Sequence, residues 1–251
     1  MRKYGWKPDL PDHRDMMYSV TRIVTLPPKV DLRPGCPEVY DQGSLGSCTA
    51  NAIGSAFQFG QIKQNVKEAF IPSRLFIYFN EREMEGTVNE DSGAYIRDGI
   101  KSLVKQGVCP ESEWQYNISI FTRKPSKTCY DHALKHQLLL YKRISPSLNQ
   151  MKGCLAEGFP FVFGFSVYES FNSQQVASSG VMSMPKKNEN LLGGHAVKAV
   201  GYDDKIQMFI VKNSYSDSWG DKGYFYMPYS YISNSNLADD FWTIRLVEEG
   251  C

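Results

Sequence analysis

The sequence predicts an α+β fold in two parts, a mainly helical first half and a mainly β second half. Apolar residues in the first half recur at helical spacing. Ala52, Ile53, Ala56 and Phe57 share one face, and Ile96, Ile100, Leu103 and Val104 form one stripe. The second half is built of short apolar or aromatic runs broken by Gly, Asp, Asn and Ser, the pattern of strands joined by turns. No internal repeat or low-complexity tract suggests a solenoid or a disordered chain.

With 251 residues the chain is long enough for one large domain or two small ones around a substantial core. Hydrophobic residues make up 42% and charged residues 22%, as in ordinary globular proteins. A net charge of +1 gives no electrostatic reason to expect nucleic acid or an anionic membrane as partner. No apolar run reaches the roughly 20 residues of a membrane span, and residues 159–167 read as a buried strand. The start, Met1 to Asp9, lacks the apolar core of a secretory signal. The cysteines at 36, 48, 109, 129, 154 and 251 are widely spaced and form no C-x-x-C pair, so the spacing offers neither a zinc signature nor a disulfide framework. A reducing, cytoplasmic setting is expected over an exported one.

Taken in order, residues 1–28 are polar and proline-rich (Pro8-Asp9-Leu10-Pro11-Asp12, ending at Pro27-Pro28). The prolines argue against a long helix and for an extended arm, either wrapped on the surface or regulatory. Cys48 opens a helix that Ser47 or Ser44 can cap, which puts its thiol in the first turn, where the helix dipole favours a thiolate. Helices are predicted over 73–82 and 95–106, with the acidic stretch 81–91 between them as a solvated loop. Strands are predicted over 161–167, 196–201, 206–212 and 224–227. The expected division is an arm at 1–28, a helical domain at 29–145 and a β domain at 146–251.

Three blocks carry chemistry. Gln42 lies six residues before Cys48, His195 follows Gly193-Gly194, and Asn213 precedes Ser214-Tyr215. Taken singly, each has a bland reading: a core cysteine, a satisfied core histidine, a turn asparagine, a surface amide. Together they are the parts of a thiol-based acyl-transfer site. A thiol needs a base to take its proton, the imidazole needs a third group to fix its tautomer, and an amide beside the thiol can hold an oxyanion. A hairpin centred on residue 204 would set His195 directly opposite Asn213, because paired positions would then sum to 408. A one-residue slip would break that alignment. His132 and His136 are spaced i, i+4 but have no evident third ligand, so no metal is expected.

On these motifs the chain resembles the papain-like cysteine proteases, of the papain family proper and its bacterial, xylellain-like branch. The resemblance runs from about Pro28 to the C-terminus. It rests on Pro28-Lys29-Val30-Asp31-Leu32-Arg33, the spacing of Gln42 to Cys48, Gly194-His195-Ala196, and Asn213-Ser214-Tyr215 through Trp219-Gly220 and Gly223-Tyr224. It implies a papain-like two-domain fold, with a helical left domain, a β-barrel-like right domain and the cleft between them. It also implies peptide-bond hydrolysis by Cys48, His195, Asn213 and Gln42 without cofactor or metal, on protein or peptide substrates, by a monomer. By the same resemblance Ser92, Gly93, Gly194 and Trp219 border the substrate, and apolar side chains are expected beside Gly194, Ala196, Ala94 and Phe163 or Phe165. Three departures stand out. Leu45 replaces a usual disulfide cysteine, Thr49 follows the nucleophile where Trp is usual, and Tyr215 replaces a Trp. Thr49 and Tyr215 support one rival expectation, a catalytically silent peptide-binding domain, and the same triad would equally serve an acyltransferase.

Overall fold

In the computed structural model, which describes residues 2–19 and 25–248, a buried helix lies between a helical layer and one large sheet. The N-terminal segment contributes β1 (Trp6–Lys7) and β2 (Met17–Tyr18), and β3 (Lys29–Asp31) follows. The helical part holds α1 (Cys48–Lys63), α2 (Arg74–Glu85), β4 (Ala94–Tyr95), α3 (Ile96–Gln106) and α4 (Lys127–Ala133). The remainder holds β5 (Leu138–Ile144), α5 (Leu148–Ala156), β6 (Phe161–Tyr168), α6 (Gln174–Ser179), β7 (Leu191–Asp203), β8 (Met208–Lys212), β9 (Tyr224–Pro228), α7 (Tyr229–Ile232) and β10 (Ala238–Val247). The large sheet runs β2-β5-β10-β6-β7-β8-β9, with β3 paired to β7, and β1 pairs separately with β4.

Helix α1 is central because twelve of its sixteen residues are buried, so the apolar stripe visible in sequence understates its packing. One face meets α2 and α3 through Ile53 and Phe57, in a core with Phe76, Ile100 and Leu103. Its other side packs on β7 and β10. A second core, dominated by Phe161, Phe163, Phe165, Phe209, Phe225 and Phe241, fills the far side of the sheet. Ser47 occupies the N-cap position of α1 but makes no capping bond. Its hydroxyl instead meets Tyr116 Oη at 2.5 Å and accepts from Asn51 Nδ2 at 3.1 Å.

The acidic stretch 81–91 departs from the expectation of a solvated loop. Helix α2 continues through Glu85, and Glu81 and Arg82 are fully buried. Arg82 is accommodated because its guanidinium donates to the carbonyls of Tyr78, Val88, Glu90 and Phe121. Gly86 ends the helix in the left-handed conformation, at φ 71°.

The β7–β8 hairpin also differs from its predicted register. Near the turn, Asp203 pairs with Met208 and Tyr202 with Phe209, so positions sum to 411. Beyond a bulge at Val200, Ala199 pairs with Val211 and Lys198 with Lys212, summing to 410. His195 is therefore not directly opposite Asn213. The bulge is what still brings them together: a sum of 411 would put the two on opposite faces, whereas 410 returns both to the face that carries Val197 and Val211.

Candidate active site

Cys48 begins α1, and its side chain is completely buried. The sulfur lies against backbone groups of Ala196, the neighbour of His195, and of Gly5 in the N-terminal segment. Burial pushes its thiol up to about 11, more than those backbone contacts lower it. The low thiol pKa expected from the helix start is thus overridden by desolvation while Gly5 lies on the sulfur.

His195 is held in β7 opposite Phe165 of β6, and it too is completely buried. Its Nε2 donates to Asn213 Oδ1 at 2.8 Å. The amide assignment is fixed by a second donor, since Ser214 N–H donates to the same oxygen at 2.9 Å. Nε2 therefore carries the proton, and Nδ1 has no partner among the described residues. Tyr215 stacks on the imidazole with ring centroids 4.9 Å apart and covers the His–Asn bond, as the usual tryptophan would. Burial, with a further contribution from the Arg2 cation, lowers the imidazole to about 4 against the raising effect of Asn213.

Gln42 is completely buried just ahead of α1. Its Oε1 accepts from Ser214 Oγ at 2.7 Å, and its Nε2 donates to Leu45 O at 3.0 Å and Lys3 O at 3.4 Å. Ser214 thus orients both amides, Asn213 through its N–H and Gln42 through its hydroxyl. That double role was not read from the sequence, although Ser214 sits inside the quoted motif. Tyr116, which no motif flagged, donates to Gln42 O at 2.9 Å and tethers the loop to Ser47.

The residues expected around a substrate lie along one line with the N-terminal segment. Ala94 N donates to Gly5 O at 2.7 Å, and β1 runs parallel to β4 with Trp6 paired to Ala94. Gly93 has φ +69°, and a Cβ there would meet Gly5 O at 2.0 Å. At Gly194 a Cβ would meet Trp6 O at 2.5 Å. Ser92 Oγ is engaged locally, with Thr87 Oγ1 and Gly93 O. Trp219 meets Tyr215 edge-on at 5.4 Å and contacts Phe171 and Phe225, so it joins the aromatic floor and is only partly exposed. Thr49 turns away from the cleft and donates to buried Glu81 at 2.8 Å.

Gly93, Gly194, Gln42, Cys48 and His195 thus all border the path of residues 2–7, whereas Ser92 bonds to Thr87 and Gly93, and Asn213 to His195 and Ser214. Among the described residues Cys36, Cys48, Cys109, Cys129 and Cys154 are thiols, and Cys251 and residues 20–24 of the arm lie outside those described. No helix among the described residues is long and apolar enough to cross a membrane.

Comparison with known proteins agrees with this architecture. Residues 26–243 match the model of the papain family cysteine proteases. Xylellain, a cysteine protease from Xylella fastidiosa, superposes with a TM-score of 0.92 at 50% identity, covering 97% of this chain and 96% of that one. An uncharacterised peptidase C1-like protein of Acanthamoeba polyphaga mimivirus is 43% identical over 99% of this chain and 88% of its own length. The cathepsin B-like CP2 of Giardia intestinalis is 29% identical, over 80% of this chain and 69% of that protein. The chain belongs to the papain family of cysteine proteases, and its α+β fold is papain-like, with a helical N-terminal part and a β-rich C-terminal sheet.

Proposed function

We propose that the chain hydrolyses peptide bonds through a Cys48–His195–Asn213 site, and that its N-terminal arm holds this site shut. Cys48 is the nucleophile and His195 Nδ1 takes its proton. Asn213 fixes the tautomer, and Gln42 Nε2 with the Cys48 N–H holds the oxyanion. Protonated His195 then delivers its proton to the leaving amine, and water hydrolyses the thioester. The observation that carries this reading is the Nε2–Asn213 bond at 2.8 Å, which leaves a bare Nδ1 on a histidine whose neighbour touches the Cys48 sulfur.

The arm occupies the place this reading gives to substrate. Its Lys3 carbonyl takes the Gln42 amide, Gly5 lies on the thiol, and Trp6 pairs with Ala94. A substrate would bind its acyl side along Gly93 and its leaving amine toward Trp219. The arm runs the other way, from Arg2 on Tyr215 to Trp6 on Ala94. A peptide threaded in that sense presents its amide nitrogen on the wrong side of the thiol, so the arm blocks the cleft without being cut there.

Intact mass after treatment with an epoxide-type thiol-protease inhibitor tests both parts. A chain beginning at Lys29 is expected to gain a single adduct on Cys48 and to hydrolyse peptides, with both lost in Cys48→Ala. Equal labelling of the full chain and the shortened one would remove the arm from the proposal. Peptide hydrolysis undiminished in Cys48→Ala would remove the nucleophile.

A further inference from the structure

We propose that Cys109, Cys129 and Glu113 form a binding site for a zinc-class divalent ion on the helical part of the molecule. Among the described residues, the two sulfurs and a Glu113 carboxylate oxygen lie within 4.8 Å of one another. Both cysteines are buried, at 0% and 3% exposure, while Glu113 is open to solvent. In a tetrahedral zinc site, with Zn–S of about 2.3 Å, neighbouring sulfurs sit about 3.8 Å apart, so the group has only to draw in slightly around an ion. The donor set discriminates as well. Two thiolates with a carboxylate suit zinc or cobalt, whereas magnesium and calcium require oxygen ligands throughout.

The surroundings hold these ligands in place. The Cys109 carbonyl accepts from Ser73 N at 2.9 Å, which fixes that backbone at the start of α2. The Cys129 N–H donates to Ser126 Oγ at 3.2 Å. His132, one turn along α4, puts Nδ1 2.8 Å from Glu113 Oε1, the carboxylate–histidine pairing that orients ligands in metal sites. Glu113 and His132 border a surface cavity of about 690 Å³, so an ion has a way in and solvent can fill the fourth position. The ligands come as Cys109-x₃-Glu113 and, about twenty residues after Cys109, Cys129, a spacing in which no C-x-x-C pair exists to be noticed. Binding exchanges two thiol protons for one ion and involves no change of oxidation state.

The site has a structural use. The chain between its two halves carries Tyr116, which holds Gln42 and Ser47 beside Cys48. An ion joining residue 109 to residue 129 closes that segment into a loop, and the closure does not depend on the protease reading.

Cobalt(II) titration of the chelator-treated full chain tests the proposal, with Cys48→Ala in the background so that the cleft thiol cannot contribute. One equivalent is expected to bind with thiolate-to-cobalt charge-transfer absorption, to be displaced by zinc, and to raise the unfolding temperature. Cys129→Ser should abolish the band, and Glu113→Gln, a change at an open position with little effect on folding, should weaken binding at least about tenfold. Three results would overturn the site. One is no charge-transfer band with both thiols titratable. Another is binding unchanged in Glu113→Gln and Cys129→Ser. The third is a Cys109–Cys129 disulfide in the purified chain, seen as two missing thiols without bound metal.

Discussion

Trp6 Nε1 donates to Asp240 Oδ2 at 3.0 Å, joining the N-terminal arm to a completely buried carboxyl in β10. The same oxygen accepts from Asp9 N at 2.8 Å, and Asp240 Oδ1 accepts from Arg143 at 2.9 Å. Asp9 returns the connection, since its carboxyl accepts from Trp242 Nε1 and from Arg97 N. Asp15 adds ion pairs to Arg97 and Arg143. Asp240 adopts φ +59°, in the left-handed region that aspartate enters more readily than most side chains, at the point where the arm docks.

Arm docking should weaken as the medium becomes alkaline. Burial, then the Asp9 charge, raises Asp240 from 3.8 to about 7, against Arg143. The docked state therefore favours the protonated carboxyl. Its contribution is complete below the ordinary carboxyl value and is lost as pH rises through 7. Asp15 has the opposite sign: its pairs with Arg97 and Arg143 outweigh burial and lower it, so its contribution fails only in acid. Hydrogen exchange in residues 5–9, corrected for intrinsic rates, should show docking falling by about tenfold or more between about pH 5 and about pH 8. Asp240→Asn keeps an acceptor without the titration and should flatten that slope. An equally steep slope in Asp240→Asn would exclude Asp240 as its origin.

Cys48 reactivity should report the arm through its pH profile. With the arm in place the thiol is pushed up to about 11 and the imidazole down to about 4, so the resting pair is neutral. Alkylation of the full chain should then climb about tenfold per pH unit through neutrality, as the thiolate fraction does. In a chain starting at Lys29, water and the lost Arg2 charge restore the imidazolium–thiolate pair, and labelling should level off near neutral pH. Coincident profiles for the two chains would show that the arm has no electrostatic hold on the site.

The elements and the chemical residues were legible because they obey local rules, whereas their placement was not. Helical periodicity identified α1 and α3, and the apolar runs identified β6 to β9. The register of β7 on β8 depends on a bulge between Ala199 and Gly201, whose sign in the sequence is Gly201 inside an apolar run, which suggests an irregularity but not the resulting register. Glu81 and Arg82 read as solvated because charge in sequence usually is, and their burial depends on Thr49, on three nearby carbonyls at Tyr78, Val88 and Glu90, and on the distant carbonyl of Phe121. Asp9 and Asp240 lie more than two hundred residues apart, and no spacing rule joins them.

Removing the groups that orient the site should reduce catalysis without unfolding the chain. Asn213→Ala deletes the acceptor of His195 Nε2, a bond to a group that becomes charged during the reaction. A loss of about 1.5–3 kcal/mol corresponds to roughly 10- to 100-fold in kcat/KM. Gln42→Ala removes an oxyanion donor and should lower kcat by about 100- to 1,000-fold. Ser214→Ala frees the Gln42 amide to rotate and should have a smaller effect in the same direction, on kcat rather than KM. Steady-state kinetics on chains beginning at Lys29 distinguish these cases, and a Gln42→Ala effect confined to KM would contradict the oxyanion role.

Glu81 should behave as a neutral acid whose ionisation works against folding. It is completely buried, Thr49 donates to Oε2 at 2.8 Å, and Oε1 has no partner among the described residues. Burial raises its carboxyl well above 4.5, more than the Thr49 bond lowers it. The protonated form is therefore the folded one, so its contribution to stability is complete below the ordinary glutamic acid value and is lost as pH rises through the raised pKa. Glu81→Gln keeps the size and an acceptor for Thr49 without the ionisation. It should unfold at a higher temperature than the parent above about pH 8, by roughly 2–4 °C for each kcal/mol recovered, with the difference closing in acid. Glu81→Ala leaves a cavity and an unpaired Thr49 hydroxyl, and should lose about 2–4 kcal/mol at every pH. Thermal unfolding of the three chains across pH tests this directly. A Glu81→Gln chain that is less stable than the parent at alkaline pH would mean that the buried carboxylate is accommodated as an anion.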